Sequence, residues 1–175
     1  MSDMKQVDLA GRKVFIAIPT YDGRLNIKTA YNLAALVPLA HAHGVGINFG
    51  HMSGCSLIAM ARNSLVNEFL KTDADELLFI DADVIVNTDD VMRLLAQSEG
   101  RDILAGMYPR RAKDKNFFLD LYRDDTDALV FDGPLMRAQR VGTGFMLIKR
   151  HVIETLIEQH PEWNVENRQG DGHVS

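Results

Sequence analysis

The segment Leu77-Leu-Phe-Ile-Asp-Ala-Asp-Val84 decides the fold of this chain. Four large apolar residues in succession, preceded by Glu76, are typical of a strand that is buried on both faces of a parallel sheet. Asp81 and Asp83 follow at the predicted carboxyl end of that strand. Ligands of open α/β sheets bind outside the carboxyl ends of the strands. The segment therefore predicts both a central strand and a binding site beside it.

The sequence before this segment alternates between strand and helix patterns. Short apolar runs, one of them ending at Pro19, indicate buried strands, and between them apolar residues recur at helical spacing. These patterns predict strands over Lys13–Ile18 and Val45–Phe49 and helices over Leu25–His43 and Leu57–Leu70. In the first helix we expect Asn26 to be the N-cap and Pro38 to kink or break the helix. The stripe expected to face the core consists of Ala30, Leu33, Ala34, Val37 and Ala40.

The alternation continues after Asp83 and then changes. We expect helices over Thr88–Gln97 and His151–His160 and strands over Asp102–Met107 and Gly144–Lys149. Between 117 and 141 the pattern is one of short strand-like pieces broken by turns. The chain is therefore predicted to be an α/β domain, with a mostly parallel, Rossmann-like central sheet flanked by helices and a small antiparallel segment near 117–141. Residues 1–12 are expected to form an N-terminal extension, 13–160 the domain, and 161–175 a mobile polar tail.

Composition limits the classes of function. The 175 residues carry a net charge of -5, which argues against nucleic-acid binding because that requires a basic face. Cys55 is the single cysteine, so the sequence allows neither an intrachain disulfide nor a cysteine-rich zinc site. No apolar run approaches the ~20 residues that cross a bilayer, and residues 1–12 lack the apolar core of a signal peptide. We therefore expect a cytoplasmic protein, whose oligomeric state the sequence leaves open.

Asp81 and Asp83 are the candidate metal-binding residues. Carboxylate oxygens suit hard cations such as Mg²⁺ and Mn²⁺, and such a cation supplies the positive charge that an acidic protein needs for a phosphorylated ligand. One carboxylate can bind the ion while the other contacts a sugar or a metal-bound water. The alternative is that both aspartates only follow the strand and face solvent.

Further candidate binding residues lie after the first strand and in the second helix. In Thr20-Tyr21-Asp22, Tyr21 is able to cover a base, and Asp22 is able to accept hydrogen bonds from a base or ribose. The alternative is an ordinary strand-to-helix turn. Arg62 has a fixed fork of donors that suits a phosphate or a neighbouring aspartate, and the sequence leaves both open.

Two glycines in Gly142-Thr143-Gly144 precede the last predicted strand. Glycines at such a place indicate that the backbone comes close to another group. That group is either a sugar donor or acceptor, or simply another strand.

Four stretches, taken in their order, resemble motifs of glycosyltransferases of the A fold, especially the family-2-like enzymes and their phage and bacterial relatives. They are Ile18-Pro-Thr-Tyr-Asp22, Ala61-Arg-Asn63, Phe79-Ile-Asp-Ala-Asp83 and Gly142-Thr-Gly-Phe145, within a resemblance that covers 13–150. The resemblance implies a nucleoside-diphosphate sugar as donor, Mn²⁺ or Mg²⁺ as cofactor, and an acceptor that is a saccharide, a lipid or a protein. It places Asp22 near the base, Asp81 near the ribose or sugar, and Asp83 on the metal. The implied donor-binding set is Thr20, Tyr21, Asp22, Arg62, Asp81, Ala82, Asp83, Gly142, Thr143 and Gly144.

The sequence departs from this family near its carboxyl end. Family members usually continue with an acidic segment that supplies a general base, and here Glu162, Glu166 and Asp171 are candidates only by elimination. We therefore expect donor binding with slow sugar transfer or none, either because the chain is a fragment or because another polypeptide completes the site. The competing interpretations are a haloacid-dehalogenase-like phosphatase with Asp81 as nucleophile, a nucleotidyltransferase, and a nucleotide-binding module without turnover.

Overall fold

A five-stranded sheet lies at the centre of the part of the chain that the structure describes, residues 7–109, 117 and 119–163 of a computed structural model. The strands are β1 (Lys13–Pro19), β2 (Gly46–Met52), β3 (Glu76–Ile80), β4 (Ile103–Ala105), β5 (Leu119–Leu121), β6 (Phe131–Asp132), β7 (Leu135–Met136), β8 (Ala138–Val141) and β9 (Phe145–Lys149). The helices are α1 (Ile27–Ala42), α2 (Ile58–Leu70), α3 (Thr88–Gln97) and α4 (Arg150–Gln159), followed by a 3₁₀ turn over Pro161–Trp163.

The strand order of the central sheet is β2-β1-β3-β9-β4. β1 runs parallel to both β2 and β3, whereas β9 runs antiparallel to its neighbours β3 and β4. Four of the five strands thus point the same way, and the predicted mixed α/β fold with a mostly parallel sheet is confirmed. The short pieces near 117–141 pair antiparallel as β5 with β8 and β6 with β7, which confirms the small antiparallel segment.

The alternation of side chains along β1 and β3 divides the core between the two faces of the sheet. Ile16 and Leu78 pack in one buried cluster with side chains from α1 and α3. Phe15 and Leu77 pack in the other with side chains from α2 and α4. All five residues of β3 are buried, as the apolar run predicts. Each large apolar side chain buried in this way contributes roughly 1.5–3 kcal/mol to stability.

Helix α1 differs from its prediction at Pro38 and in the residues that face the core. The helix is continuous through Pro38, so the predicted break does not occur. Pro38 and the residue four positions before it, Ala34, are both exposed, so water can reach the carbonyl that loses its helical hydrogen bond. The predicted core-facing stripe is right for Leu33 and Ala40, which are buried. It is wrong for Val37, which is 41% exposed, and it omits Leu36, which is fully buried.

Element ends differ from the sequence prediction by a few residues. β2 continues to Met52, three residues beyond its predicted end, because it pairs with β1 along its whole length. β4 is shorter than predicted. In the segment expected to be an N-terminal extension, Leu9 is buried in the core. The predicted polar tail lies outside the described residues from 164 onward. Among the helices that the structure describes, none has both the length and the apolar character needed to cross a membrane.

A buried charge cluster lies at the amino end of β3. Glu76 is completely buried, and its Oε1 accepts hydrogen bonds from the Arg12 guanidinium, the Lys149 ammonium and, at 3.2 Å, the Ser98 hydroxyl. Arg12 also donates to the carbonyl of Leu95 at 2.7 Å. Removal of one partner from such a cluster leaves an uncompensated buried charge, which is strongly destabilising. The cluster thus holds β3, β9 and the end of α3 together.

Candidate functional site

The candidate site lies where the chain changes direction across the sheet. From β1 the chain moves to β2 on one side, and β3 then pairs with the other side of β1. The carboxyl ends of β1 and β3 therefore form a topological switch point, which is where open α/β sheets bind ligands. The loops after these strands are joined by a hydrogen bond from the backbone N–H of Asn26 to the carbonyl of Ala82 at 2.9 Å.

Asp81, directly after β3, is held by Arg62 from α2. The Nη2 atom of Arg62 donates to Oδ1 of Asp81 at 2.8 Å and to Oδ2 at 3.0 Å. The side chains of Arg62 and Asp81 are only 21% and 23% exposed, so solvent screens the pair less than it screens a surface pair. Of the two partners that the sequence left open for Arg62, the structure shows the aspartate. The Nε atom of Arg62 is buried without a hydrogen-bond partner.

Asp83 occupies a different environment from Asp81. It is exposed, in a turn closed by a hydrogen bond from the Val84 N–H to the Asp81 carbonyl at 2.9 Å. The two carboxylates, two residues apart, therefore lie in different environments: Asp81 is mostly buried against Arg62, and Asp83 is exposed. Among the described residues, no cluster of three or more His, Cys, Asp or Glu side chains could hold a metal ion.

Gly144 explains why a glycine precedes β9. Its carbonyl accepts a hydrogen bond from the Asp81 N–H, and its own N–H donates to the Tyr108 hydroxyl, both at 2.9 Å. A methyl group at this position would lie 2.6 Å from the Tyr108 hydroxyl oxygen and 2.8 Å from Oδ2 of Asp81. The close approach indicated by the sequence is thus to side chains of the protein itself, in addition to the neighbouring strand β3.

Tyr108 is a site residue that the sequence analysis did not identify. Tyr108 lies shortly after β4, as Asp81 lies directly after β3. Its position after a strand was therefore the signal in the sequence that could have identified it as a candidate binding residue. Burial raises the pKa of the Tyr108 hydroxyl, the negative charges of Asp81 and Asp83 raise it further, and the Gly144 N–H and Arg62 act in the opposite direction. Tyr108 therefore stays protonated and neutral at physiological pH.

The loop after β1 holds its own shape by local hydrogen bonds. The Thr20 hydroxyl donates to the Arg24 carbonyl at 3.0 Å, and Oδ1 of Asp22 accepts from the Arg24 N–H at 3.1 Å. Tyr21 is 70% exposed, and its carbonyl accepts from the Gly54 N–H at 2.9 Å. The loop is therefore a strand-to-helix turn that presents the Tyr21 ring and the Asp22 carboxylate to solvent beside the switch point.

The remaining candidate residues are Gly142 and Thr143, which precede Gly144 in the chain, and the three acidic candidates for a general base. Gly142 borders a neighbouring cavity, and Thr143 is half-buried between Gly142 and Gly144. Glu162 is exposed, and its carboxylate contacts the His160 ring at 3.0 Å. Glu166 and Asp171 lie outside the described residues. A general base stays unidentified within the described part of the chain.

A cavity of about 940 Å³ lies beside the carboxylate pair, between α3, β4 and the small antiparallel strands. Val84, which follows Asp83 in the chain, lines it together with Tyr108 and Phe145. Tyr108 thus lines the cavity, and its hydroxyl and the Asp81 carboxylate both lie close to Gly144.

No protein family model matches this sequence, and no curated protein matches it significantly. Among solved structures, 4-diphosphocytidyl-2C-methyl-D-erythritol synthase from Anaerococcus prevotii is similar to this chain with a TM-score of 0.46 and 10% sequence identity. The similarity covers 88% of this chain and 79% of that protein. A likeness of this degree carries no information about activity, for which the site itself is the guide.

Proposed function

We propose that this chain binds a nucleoside-diphosphate sugar together with a divalent cation and acts as a glycosyltransferase of the A fold. The observation that carries the proposal is the position of Asp81 and Asp83 at the switch point, beside the exposed Tyr21 and Asp22. In such a transfer an acceptor oxygen bonds to the anomeric carbon while the bond from that carbon to the diphosphate breaks. The nucleoside diphosphate leaves with the electron pair, and the acceptor proton passes to a base.

The carboxylates of the site suit a Mn²⁺ or Mg²⁺ ion that is held jointly by the protein and by the phosphates of the nucleotide. Mg²⁺ is commonly held by one or two carboxylates plus substrate phosphates and water, and not by a cage of protein ligands. Asp83 would supply the protein oxygen, and the bound cation would offset the charge that develops on the leaving diphosphate. Asp81, fixed by Arg62, would position the ribose or sugar hydroxyls. We therefore expect the cation and the nucleotide to increase each other's affinity.

The ion pair between Arg62 and Asp81 counts against a haloacid-dehalogenase-like phosphatase. That mechanism requires the first aspartate to attack phosphorus with an unhindered carboxylate oxygen. Both oxygens of Asp81 accept hydrogen bonds from Arg62, which lowers their nucleophilicity. A role in binding and orientation suits this carboxylate better.

Calorimetric titration of UDP, CDP, GDP and ADP, with Mn²⁺ and with EDTA, tests the proposal. We expect at least one nucleotide to bind at least tenfold more tightly with Mn²⁺, and Asp83→Asn to abolish the difference. Asp125→Asn is the matched control, because Asp125 is exposed in a turn of the small antiparallel segment. Equal affinity with Mn²⁺ and EDTA for every nucleotide would overturn the metal-dependent site.

A further inference from the structure

The cavity beside Asp83 has a wall that is unusually apolar for an accessible surface. Six large apolar side chains that line it are each at least 37% exposed. They are Ile85, Ile103, Met107, Phe117, Met136 and Val141. Contiguous exposed apolar surface of this kind marks a place where an apolar group binds.

The carboxylates of the same cavity are already engaged by other groups. Three aspartates line it, and each accepts a hydrogen bond from, or contacts, a polar side chain. The partners are Arg101 for Asp132 at 2.7 Å, His151 for Asp102 at 3.0 Å and Asn87 for Asp90 at 2.9 Å. Arg101 offsets the charge of Asp132, and hydrogen bonds or contacts hold one carboxylate oxygen each of Asp90 and Asp102.

Several arginines of the cavity form no ion pair among the residues that the structure describes. Within the described part of the chain, Arg93 of α3 and Arg140 of β8 form no ion pair with a carboxylate, and both are exposed. Arg137 lies over the Tyr122 ring at 5.5 Å, an interaction that leaves its charge available. The cavity of an acidic protein is thus lined by four arginines and three aspartates beside its apolar side chains. Arginines without a carboxylate partner complement an anionic group, and their forks suit phosphate oxygens in particular.

We propose that this cavity binds the acceptor of the sugar, and that the acceptor is an amphipathic molecule with an apolar body and a phosphate group. The inference rests on the proposed function, because it needs a donor at Asp81 and Asp83. The position of the cavity supports it, since Val84 and Ile85, which follow Asp83 in the chain, line the cavity together with Tyr108. An acceptor seated there has its reacting end at the carboxylate pair. Its apolar body lies against Met136 and Val141, and its phosphate reaches Arg93 or Arg140.

Octyl phosphate, used below its micelle-forming concentration, is the probe. We expect calorimetry to show saturable binding, with octyl glucoside and inorganic phosphate each binding at least tenfold more weakly. The double variant Arg93→Gln/Arg140→Gln and the variant Met136→Glu should each weaken octyl phosphate about tenfold. Arg123→Gln and Val37→Glu are the matched controls, since both positions are exposed and neither lines the cavity.

Each other result overturns a stated part of the inference. Equal binding of octyl glucoside would remove the role of the arginines, and equal binding of inorganic phosphate would remove that of the apolar wall. A dimer that Met136→Glu dissociates would show that a second copy of the chain covers this face. Saturable octyl phosphate binding without any metal-dependent nucleotide binding would support the cavity as a ligand site and overturn its role for an acceptor. Nucleotide binding without octyl phosphate binding would overturn this inference alone.

Discussion

The substitution Gly144→Ala tests the geometry of the candidate site with a single methyl group. The added carbon would lie 2.6 Å from the Tyr108 hydroxyl oxygen and 2.8 Å from both the Tyr108 Cζ and Oδ2 of Asp81. Ordinary van der Waals contact begins near 3.4 Å, so these atoms must retreat by about 0.6–0.8 Å. Overpacking of this kind typically costs about 1–3 kcal/mol of folding free energy. The same displacement moves Asp81 relative to Arg62 and Asp83.

We expect Gly144→Ala to lower the free energy of unfolding in urea by about 1–3 kcal/mol. We also expect it to weaken Mn²⁺-dependent nucleotide binding about tenfold, equivalent to about 1.4 kcal/mol. Gly46→Ala is the matched control in β2, because its methyl group would meet its nearest neighbour at 3.6 Å, an ordinary contact. A folded Gly144→Ala protein with the affinity of the unmodified chain would refute the proposed part of Asp81 in nucleotide binding.

Three stability predictions follow from the ion pairs and are checked by urea unfolding, with the exposed Arg123→Ala as a control expected to stay within about 0.5 kcal/mol. Arg62→Met should lower the free energy of unfolding by about 2 kcal/mol, which is less than the loss of a partner from a fully buried ion pair, because Asp81 keeps some contact with water. A change below about 0.5 kcal/mol would show that the ion pair contributes nothing to stability. Glu76→Ala should cost about 3–5 kcal/mol, since it leaves two cations without their buried partner, and a neutral result would contradict that reasoning. Arg150→Ala should cost about 2–4 kcal/mol of unfolding free energy, because the guanidinium donates to three backbone carbonyls around the end of α2 and lies 4.3 Å from the centre of the Phe69 ring. Unchanged stability would show that water replaces these hydrogen bonds.

The sequence was most informative where local pattern and burial agree. β3 begins at Glu76 and ends at Ile80, as the four large apolar residues after Glu76 predict, and all five of its residues are buried. Recognition of this strand in the sequence also predicted where Asp81 and Asp83 lie, because residues that follow a central parallel strand are placed at the edge of the sheet where ligands bind. Asn26 was predicted as the N-cap of α1, and its side chain accepts a hydrogen bond from the Lys28 N–H at 3.0 Å.

The sequence was least informative about partners that are distant along the chain. The contact between Arg62 and Asp81 spans 19 residues, and the one between Lys149 and Glu76 spans 73. Neither contact produces a repeating pattern in the sequence, because the number of residues between the partners depends on which strands become neighbours in the sheet. The antiparallel direction of β9 is a related case, since a short apolar strand reads the same in either direction.

The two ends of β3 carry two kinds of charged site that are built from the same residue types. At the amino end, Glu76 is completely buried, and its Oε1 forms ion pairs with both Arg12 and Lys149, which connects neighbouring elements. At the carboxyl end, Asp81 is paired with Arg62 and Asp83 is exposed, so both carboxylates lie where a ligand can reach the strand end. Because β3 is short and rigidly packed, disruption at the amino end should lower stability while leaving nucleotide affinity nearly unchanged in the folded fraction. Substitution of Asp83 should do the opposite. If a Glu76 variant that stays folded lost metal-dependent nucleotide affinity, the strand would be transmitting strain between its ends, and this separation of stability from binding would be wrong.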